Sequence, residues 1–339
     1  MTTECLPAVE RDSRTTEQYL AAAKEELRTG ETRKGRRMAR QVLGASVEAG
    51  DAPMEAGAAL VLSQAYVLDS RFRLAHAMSS RAHQLFKQAG NLPGVAEALA
   101  IHSYCASALG LDSAALQAAC DSMTMHADGA SAQARALGLN YMGVAASWTR
   151  DFATARSALE ASIMFSRQAG DKGAALQPLI NLCFTEVLQI VELERLQQGP
   201  ADLAELERLV AQARVMADSG QPSGLHRATL DIGLLLLDFS SCFVASRRGH
   251  TKQADAAYLA CLEKASRFPR TSWVQAVLWW ARVERAVCYG DIEASIRSLH
   301  AMGEVAGAGE HAQLQALAKT LESTLRPALN QWDSNHGEL

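Results

Sequence analysis

Four arginines lie close together near the start of the chain, at Arg33, Arg36, Arg37 and Arg40. Spacings of three and four residues place their guanidinium groups on one face of a helix, with Lys34 beside them. Guanidinium groups bind carboxylates and phosphates through paired hydrogen bonds. The cluster therefore indicates a solvated helix face or a docking patch for an acidic protein partner. Nucleic acid is the third alternative, and the formal net charge of −4 disfavours it.

Patterns that would indicate catalysis or metal binding are missing from the sequence. His76 and His83 are seven residues apart and share a helix face, but no acidic residue lies nearby at metal-ligand spacing. No HExxH, GxSxG or phosphate-binding glycine loop occurs. We therefore predict a protein that is not an enzyme, with no catalytic residue, no metal and no cofactor.

The cysteines and the hydropathy pattern bear on the compartment. Seven cysteines are scattered without a CxxC pair, which predicts reduced and mostly buried thiols in a cytosolic protein. They are Cys5, Cys105, Cys120, Cys183, Cys242, Cys261 and Cys288. The polar N-terminal residues lack the apolar stretch of a secretion signal. The most apolar run, residues 230–237, contains Asp231 and predicts a buried helix too short to span a bilayer. We expect a cytoplasmic protein with no membrane and no nucleic-acid partner.

A repeat of forty residues predicts the helices on which these residues lie. Small residues recur in register at the eighth and twentieth positions of each unit for about two hundred residues. They are Ala23, Ser63, Ser103, Gly143 and Cys183 at the eighth position, and Gly35, Ala75, Ala115 and Ala155 at the twentieth. Helices approach closely only where side chains are small. The period therefore predicts stacked helical hairpins, each contacting chiefly its neighbours.

Turn signals divide the chain into seven units. Glycine–aspartate or glycine–asparagine pairs such as Gly50-Asp51 and Gly90-Asn91 end one helix and begin the next. The predicted organisation is a polar tail (1–15), the repeat array (16–309), a capping helix (310–332) and a second polar tail (333–339). The units are predicted at about 16–50, 51–90, 91–129, 130–170, 171–220, 221–270 and 271–309, and the fifth and sixth have longer first helices.

These units resemble tetratricopeptide repeats. The matching residues are Leu62, Ser63, Tyr66, Ala75 and Ala82 in the second unit, Leu139, Met142, Gly143, Ala155 and Leu159 in the fourth, and Trp279, Gly290-Asp291 and Leu299 in the seventh. The resemblance implies an all-α, right-handed superhelical solenoid of about seven helical hairpins plus a C-terminal capping helix. The forty-residue unit is similar to arrays in bacterial regulators. These include sensory regions of transcription activators, peptide-pheromone receptors and segments that precede diguanylate cyclase domains.

The resemblance also implies where a partner would bind. In this family the first helices of successive units line a concave surface, which is here largely apolar and rich in aromatic residues from the third unit onward. The implied partner-binding groove contains Tyr104, Asn140, Val144, Phe184, Phe239, Phe243, Trp280 and Glu284. Trp279 occupies a packing position of the family, so Trp280 is expected to be the more exposed of the two. The alternative is that these rings are core residues.

Three functional hypotheses remain at this stage. The leading one is a protein- or peptide-binding scaffold or regulatory module in bacterial signalling. The second is the N-terminal sensory region of a longer signalling enzyme of the diguanylate cyclase type, although no GGDEF string occurs in these residues. The third is a regulator that responds to a small molecule or a pheromone. The sequence also leaves open self-association through the terminal units.

Overall fold

The computed structural model describes residues 15–127, 131–170, 174–198, 202–219 and 227–336. Within these residues the protein consists of fifteen α-helices and contains no strand. The helices are α1 (Thr16–Thr29), α2 (Thr32–Ala49), α3 (Ala52–Leu68), α4 (Phe72–Gln88), α5 (Leu92–Ala108), α6 (Asp112–Ala127), α7 (Ala132–Trp148), α8 (Phe152–Gln168), α9 (Leu176–Arg195), α10 (Ala204–Asp218), α11 (Arg227–Arg247), α12 (Thr251–Ala265), α13 (Ser272–Cys288), α14 (Ile292–Ala308) and α15 (Ala312–His336).

Successive helices pack as seven hairpins, and α15 follows the last hairpin. This arrangement confirms the predicted all-α helical-repeat solenoid with a final helix. α15 continues to His336, so it includes the first part of the segment predicted as a polar tail. The exact unit boundaries stay predictions. Several predicted features lie outside the described residues, namely Cys5, the tail before Thr15, and the breaks at Gly129, Asp171, Gly199-Pro200 and Gly220-Gln221.

Local sequence signals explain where the helices begin and end. The side chains of Asp51, Asn91 and Asp151 each accept a hydrogen bond from a backbone N–H in the first turn of the helix that follows. These bonds satisfy donors that have no partner within the helix. Gly50 ends α2 with a φ of 68°, a conformation that glycine adopts without steric cost. The hairpin turns are therefore encoded locally.

The small residues lie where the helices of a hairpin cross. Ala23, Ser63, Ser103 and Cys183 are completely buried. At Gly143, a Cβ atom would come within 2.4 Å of Cγ of Leu159 in the facing helix. This distance is far below van der Waals contact, so an added Cβ atom at this crossing of α7 and α8 would force Leu159 to move.

Two helices are long and apolar enough to cross a membrane by length and composition, Leu176–Arg195 and residues 229–247 of α11. The apolar run at residues 230–237 predicted a helix too short to span a bilayer, whereas α11 is long enough to do so. However, 67% of each apolar window is buried inside the fold. This degree of burial is typical of core helices.

The array also closes on itself, which the repeat pattern did not predict. The turn between α3 and α4 meets the turns that precede α13 and α15. Thr271 Oγ1 donates to the Leu68 carbonyl (3.4 Å), and the Trp273 N–H donates to Ser70 Oγ (3.4 Å). The Arg73 N–H donates to Glu310 Oε2 (3.1 Å). We call these three contacts the clasp, and they make the solenoid more compact than a chain of nearest-neighbour units.

Candidate functional site

The first helices of the second to seventh hairpins surround a central cavity. It has a volume of about 180 Å³. A second cavity of about 510 Å³ lies beside it and shares lining residues such as Asn140, Tyr141 and Gln177. One side of the smaller cavity is closed by His311, which directly precedes α15, and by Leu314 within α15. The cavity is therefore built from helices of distant units, and the closure of the array shapes it.

Four of the predicted groove residues line this cavity. Tyr104, Asn140, Val144 and Phe184 come from α5, α7 and α9. Each of them is half-buried. These residues were named from the concave positions of the repeat, and the structure brings them together around one space. Whether a partner binds them stays a prediction.

The other four predicted groove residues do not reach the cavity surface. Phe239, Phe243 and Trp280 are completely buried, and Glu284 is 1% exposed. This burial corrects the expectation that they face a groove, because the lengthened helices α9 and α11 pack with α13 and enclose the rings. Trp279 is half-buried and more exposed than Trp280, which reverses the expectation for that pair.

Glu284 belongs to a buried ionic network instead. It accepts hydrogen bonds from Arg247 and from Trp280 Nε1 (3.0 Å), and Arg247 also contacts Glu194 Oε1 (2.8 Å). Burial raises the pKa of Glu284, and the nearby Arg247 acts in the opposite direction. Because these groups satisfy one another, they hold α9, α11 and α13 together.

A network of aromatic rings forms the wall of the cavity. Tyr104 contacts Tyr141 at a ring-centroid distance of 6.1 Å, and Trp148 contacts Phe184 at 5.7 Å. The His311 ring lies edge-on between Phe72 and Trp148, at 5.2 and 5.4 Å. These aromatic pairs stabilise the wall beyond simple burial of area. They also give the cavity an apolar side.

Three carboxamides form a polar row on the cavity lining. Asn181 Nδ2 donates to Asn140 Oδ1 (2.8 Å), and Gln177 Nε2 donates to Asn181 Oδ1 (3.2 Å). Gln177 Oε1 is buried without a hydrogen-bond partner among the described residues. A buried acceptor without a partner carries an energetic cost that a ligand donor would remove. This row is therefore the part of the cavity best equipped to bind a polar ligand group.

The sequence analysis did not single out Asn181, Trp148 or His311. Asn140 lies in α7 and Asn181 in α9, so stacking of adjacent helical hairpins brings the two amides together. The concave positions of the tetratricopeptide family do not include Asn181, because the concave position in this unit is the preceding residue, Ile180. His311 lacked any sequence signal, since its place in the cavity depends on how α15 returns to the array.

The smaller cavity is electrically neutral. Its lining contains no Asp, Glu, Lys or Arg among the described residues. Burial lowers the pKa of His311 to about 3, so this imidazole is uncharged at pH 7. Burial also raises the pKa of Tyr104 and Tyr141 above the usual value. The cavity thus favours uncharged ligand groups.

The four arginines of the first unit do not share one environment. Arg40 donates to the Tyr66 hydroxyl (2.7 Å), whereas Arg36 pairs with Asp69. Arg33 and Arg36 line a cleft beside the clasp, and Arg37 lies exposed on the same helix outside its lining. The fold therefore places the four arginines in different contacts. Their role as a docking patch for an acidic partner stays a prediction.

The histidines and cysteines considered as candidate functional residues pack against other side chains of the fold. The His76 and His102 rings stack at 3.9 Å, and burial lowers the pKa of both. In the part of the chain that the structure describes, no group of three or more His, Cys, Asp or Glu side chains is arranged to hold a metal ion. Cys183 and Cys242 are buried, which raises the pKa of their thiols and disfavours the reactive thiolate.

Comparison with known proteins supports the fold. The sequence matches no protein-family model, and no curated protein is significantly similar to it. Among solved structures, the apo form of RapI aligns with a TM-score of 0.58 at 13% identity, covering 85% of this chain and 99% of RapI. A Rap protein complexed with Competence and Sporulation Factor aligns with a TM-score of 0.55 at 11% identity, covering 93% and 98%. At these identities the likeness establishes a shared helical-repeat fold.

Proposed function

We propose that this chain is a non-enzymatic regulatory module that binds an extended peptide or partner segment in its central cavity. The observation that carries the proposal is the row formed by Asn140, Gln177 and Asn181 within an apolar aromatic wall. A carboxamide can donate to and accept from a peptide backbone at the same time, so a row of them suits an extended chain. The aromatic wall would hold an adjacent apolar side chain.

The size and charge of the two cavities narrow the ligand class. A space of about 180 Å³ accommodates an uncharged apolar side chain of the ligand. The adjoining larger cavity has a single charged residue, Glu97, among its described lining residues. A ligand with a neutral apolar end and a neutral polar continuation would therefore fit both spaces.

The structural neighbours give this proposal additional support. One of them was solved in complex with Competence and Sporulation Factor, so a protein of this fold binds that factor. We infer a similar regulatory role for this chain, in the bacterial cytoplasm, with tetratricopeptide-type units as the scaffold. Burial lowers the pKa of His311 and raises the pKa of Tyr104 and Tyr141, so none of the three titrates near pH 7, which favours binding over acid–base catalysis.

A peptide-binding measurement tests the proposal. A library of short labelled peptides is screened by fluorescence polarisation against the wild-type chain and the variants Asn140→Ala and Asn181→Ala. We expect each variant to weaken binding of a selected peptide about tenfold, equivalent to about 1.4 kcal/mol. The matched control is Gln168→Ala, because Gln168 is exposed at the end of α8.

The control should bind the peptide as tightly as the wild type. If all three variants bind equally well, the carboxamide row does not contact the ligand. If small acyl compounds bind in the cavity and no peptide does, the protein is instead a small-molecule-responsive regulator.

A further inference from the structure

A cleft beside the clasp gathers basic residues from three distant parts of the sequence. It has a volume of about 720 Å³ and includes five arginines. They are Arg33 and Arg36 from α2, Arg71 and Arg73 from the start of α4, and Arg270 from the turn before α13. The cleft exists only because the array closes, so it is a product of the tertiary fold.

The charge in this cleft is incompletely balanced. Its lining contains two carboxylates, Asp69 and Glu310, against the five guanidinium groups. Asp69 pairs with Arg36, and Glu310 contacts Arg73 at 3.5 Å. Among the described residues, no carboxylate lies within 4.0 Å of a guanidinium nitrogen of Arg33, Arg71 or Arg270. An excess of three positive charges is thus concentrated in one recess.

The guanidinium groups also act on one another. Burial lowers the pKa of Arg36, and the charges of Arg40, Arg71 and Arg33 lower it further. Like charges that are held together by the fold favour the binding of an anion between them. The Glu310 carboxylate accepts a hydrogen bond from the backbone N–H of Arg73. The edge of this cleft therefore already accommodates one oxyanion.

The chemistry of the cleft distinguishes between classes of anion. A single carboxylate carries too little charge to balance the excess, whereas phosphate groups carry more charge and accept several hydrogen bonds from arginine. The hydroxyl groups of Ser70 and Ser272 also line the recess, whereas the Thr271 hydroxyl already donates to the Leu68 carbonyl. Its described lining contains no aromatic ring on which a nucleobase could stack. Because the arginines line a concave recess, they suit a soluble anion better than a flat membrane surface.

We propose that this cleft binds a small, soluble anion with more than one phosphate-type charge, bridging the first two units to the last hairpin. The ligand would contact Arg33, Arg71 and Arg270, and it would therefore connect the segments that form the clasp. This site is separate from the carboxamide row, so its occupancy does not depend on the proposed peptide binding.

Isothermal titration calorimetry with inorganic pyrophosphate tests this site on the full chain in 150 mM NaCl. We expect saturable binding that is tighter for pyrophosphate than for inorganic phosphate. The double variant Arg33→Gln/Arg270→Gln should weaken it at least tenfold. Both of these side chains are exposed, so the fold should persist, which circular dichroism checks.

The control is Arg37→Gln, because Arg37 has the same charge on the same helix but lies outside the cleft lining. It should change the dissociation constant less than twofold. Equal weakening by the control would show that only overall charge matters and would overturn the proposal. Absence of saturable binding, or binding only to vesicles that contain phosphoinositides, would overturn it as well.

Discussion

The carboxylate of Glu310 accepts a hydrogen bond of 3.1 Å from the backbone N–H of Arg73, which lies 237 positions earlier in the chain. Glu310 and Ser70 both have positive φ angles, of 60° and 56°. This conformation costs residues other than glycine about 1–2 kcal/mol. Both side chains accept hydrogen bonds across the clasp, and glycine has no side chain that could accept them.

A substitution of Glu310 by glycine tests the contribution of the clasp. Glu310→Gly removes backbone strain but also the carboxylate, so we expect no gain in the free energy of unfolding and faster amide hydrogen exchange at Arg73. Gln197 has a φ of 55° and an exposed side chain. Gln197→Gly should therefore raise the free energy of unfolding by up to about 1 kcal/mol. Equal gains in urea denaturation for both variants would contradict a stabilising role of the clasp.

Acidification should destabilise the protein through His311. Its folded-state pKa of about 3 lies below the unfolded value of about 6.5, so the unfolded chain binds the proton more tightly. Stability is therefore lost as the pH falls from about 6.5 towards 3, by up to about 1.4 kcal/mol per pH unit.

The variant His311→Asn isolates this effect. Asparagine can still accept the hydrogen bond from the Leu314 N–H but does not titrate. Urea denaturation at pH 7, 6 and 5 should show a shallower pH dependence for the variant. His102, whose pKa is lowered to about 4, contributes in the same direction to both proteins. Identical slopes would show that His311 does not control this dependence.

Removal of Glu284 should strongly destabilise the core. Glu284→Ala leaves Arg247 without one of its carboxylate partners and Trp280 Nε1 without an acceptor. We expect a loss of about 3 kcal/mol in the free energy of unfolding. Arg297→Ala is the comparison, because its ion pair with Glu293 is exposed, and its loss should cost less than about 1 kcal/mol. Chemical denaturation measures both, and similar small losses would mean that the buried network adds little.

The tight helix crossings predict opposite effects for two glycine-to-alanine variants. Gly143→Ala places Cβ against Leu159 and should cost about 1–3 kcal/mol. Gly44 lies in α2, where an added Cβ atom would meet no neighbouring side chain or facing helix within 4 Å. Gly44→Ala should therefore stabilise the protein by about 0.5–1 kcal/mol. Thermal and urea denaturation provide the comparison. A loss of stability at Gly44 equal to that at Gly143 would show that crowding is not the cause.

Part of the candidate site could be predicted from sequence. The repeat register identified Tyr104, Asn140, Val144 and Phe184, which do line the cavity. The same register placed Phe239 and Trp280 in the groove, but both are completely buried. The register specifies the direction in which a side chain points from its own helix. It does not specify how closely the opposite helices approach, and the lengthened helices α9 and α11 fill that space together with α13.

The sequence by itself determined the helical hairpins, because their turns and crossings depend on residues within one or two repeat lengths, such as Gly143 and Leu159. The tertiary structure alone decided the clasp, the position of His311 and the convergence of Arg33, Arg71 and Arg270. These features depend on the curvature that accumulates over the whole array. Small rotations between successive units add up, and they determine which distant segments meet.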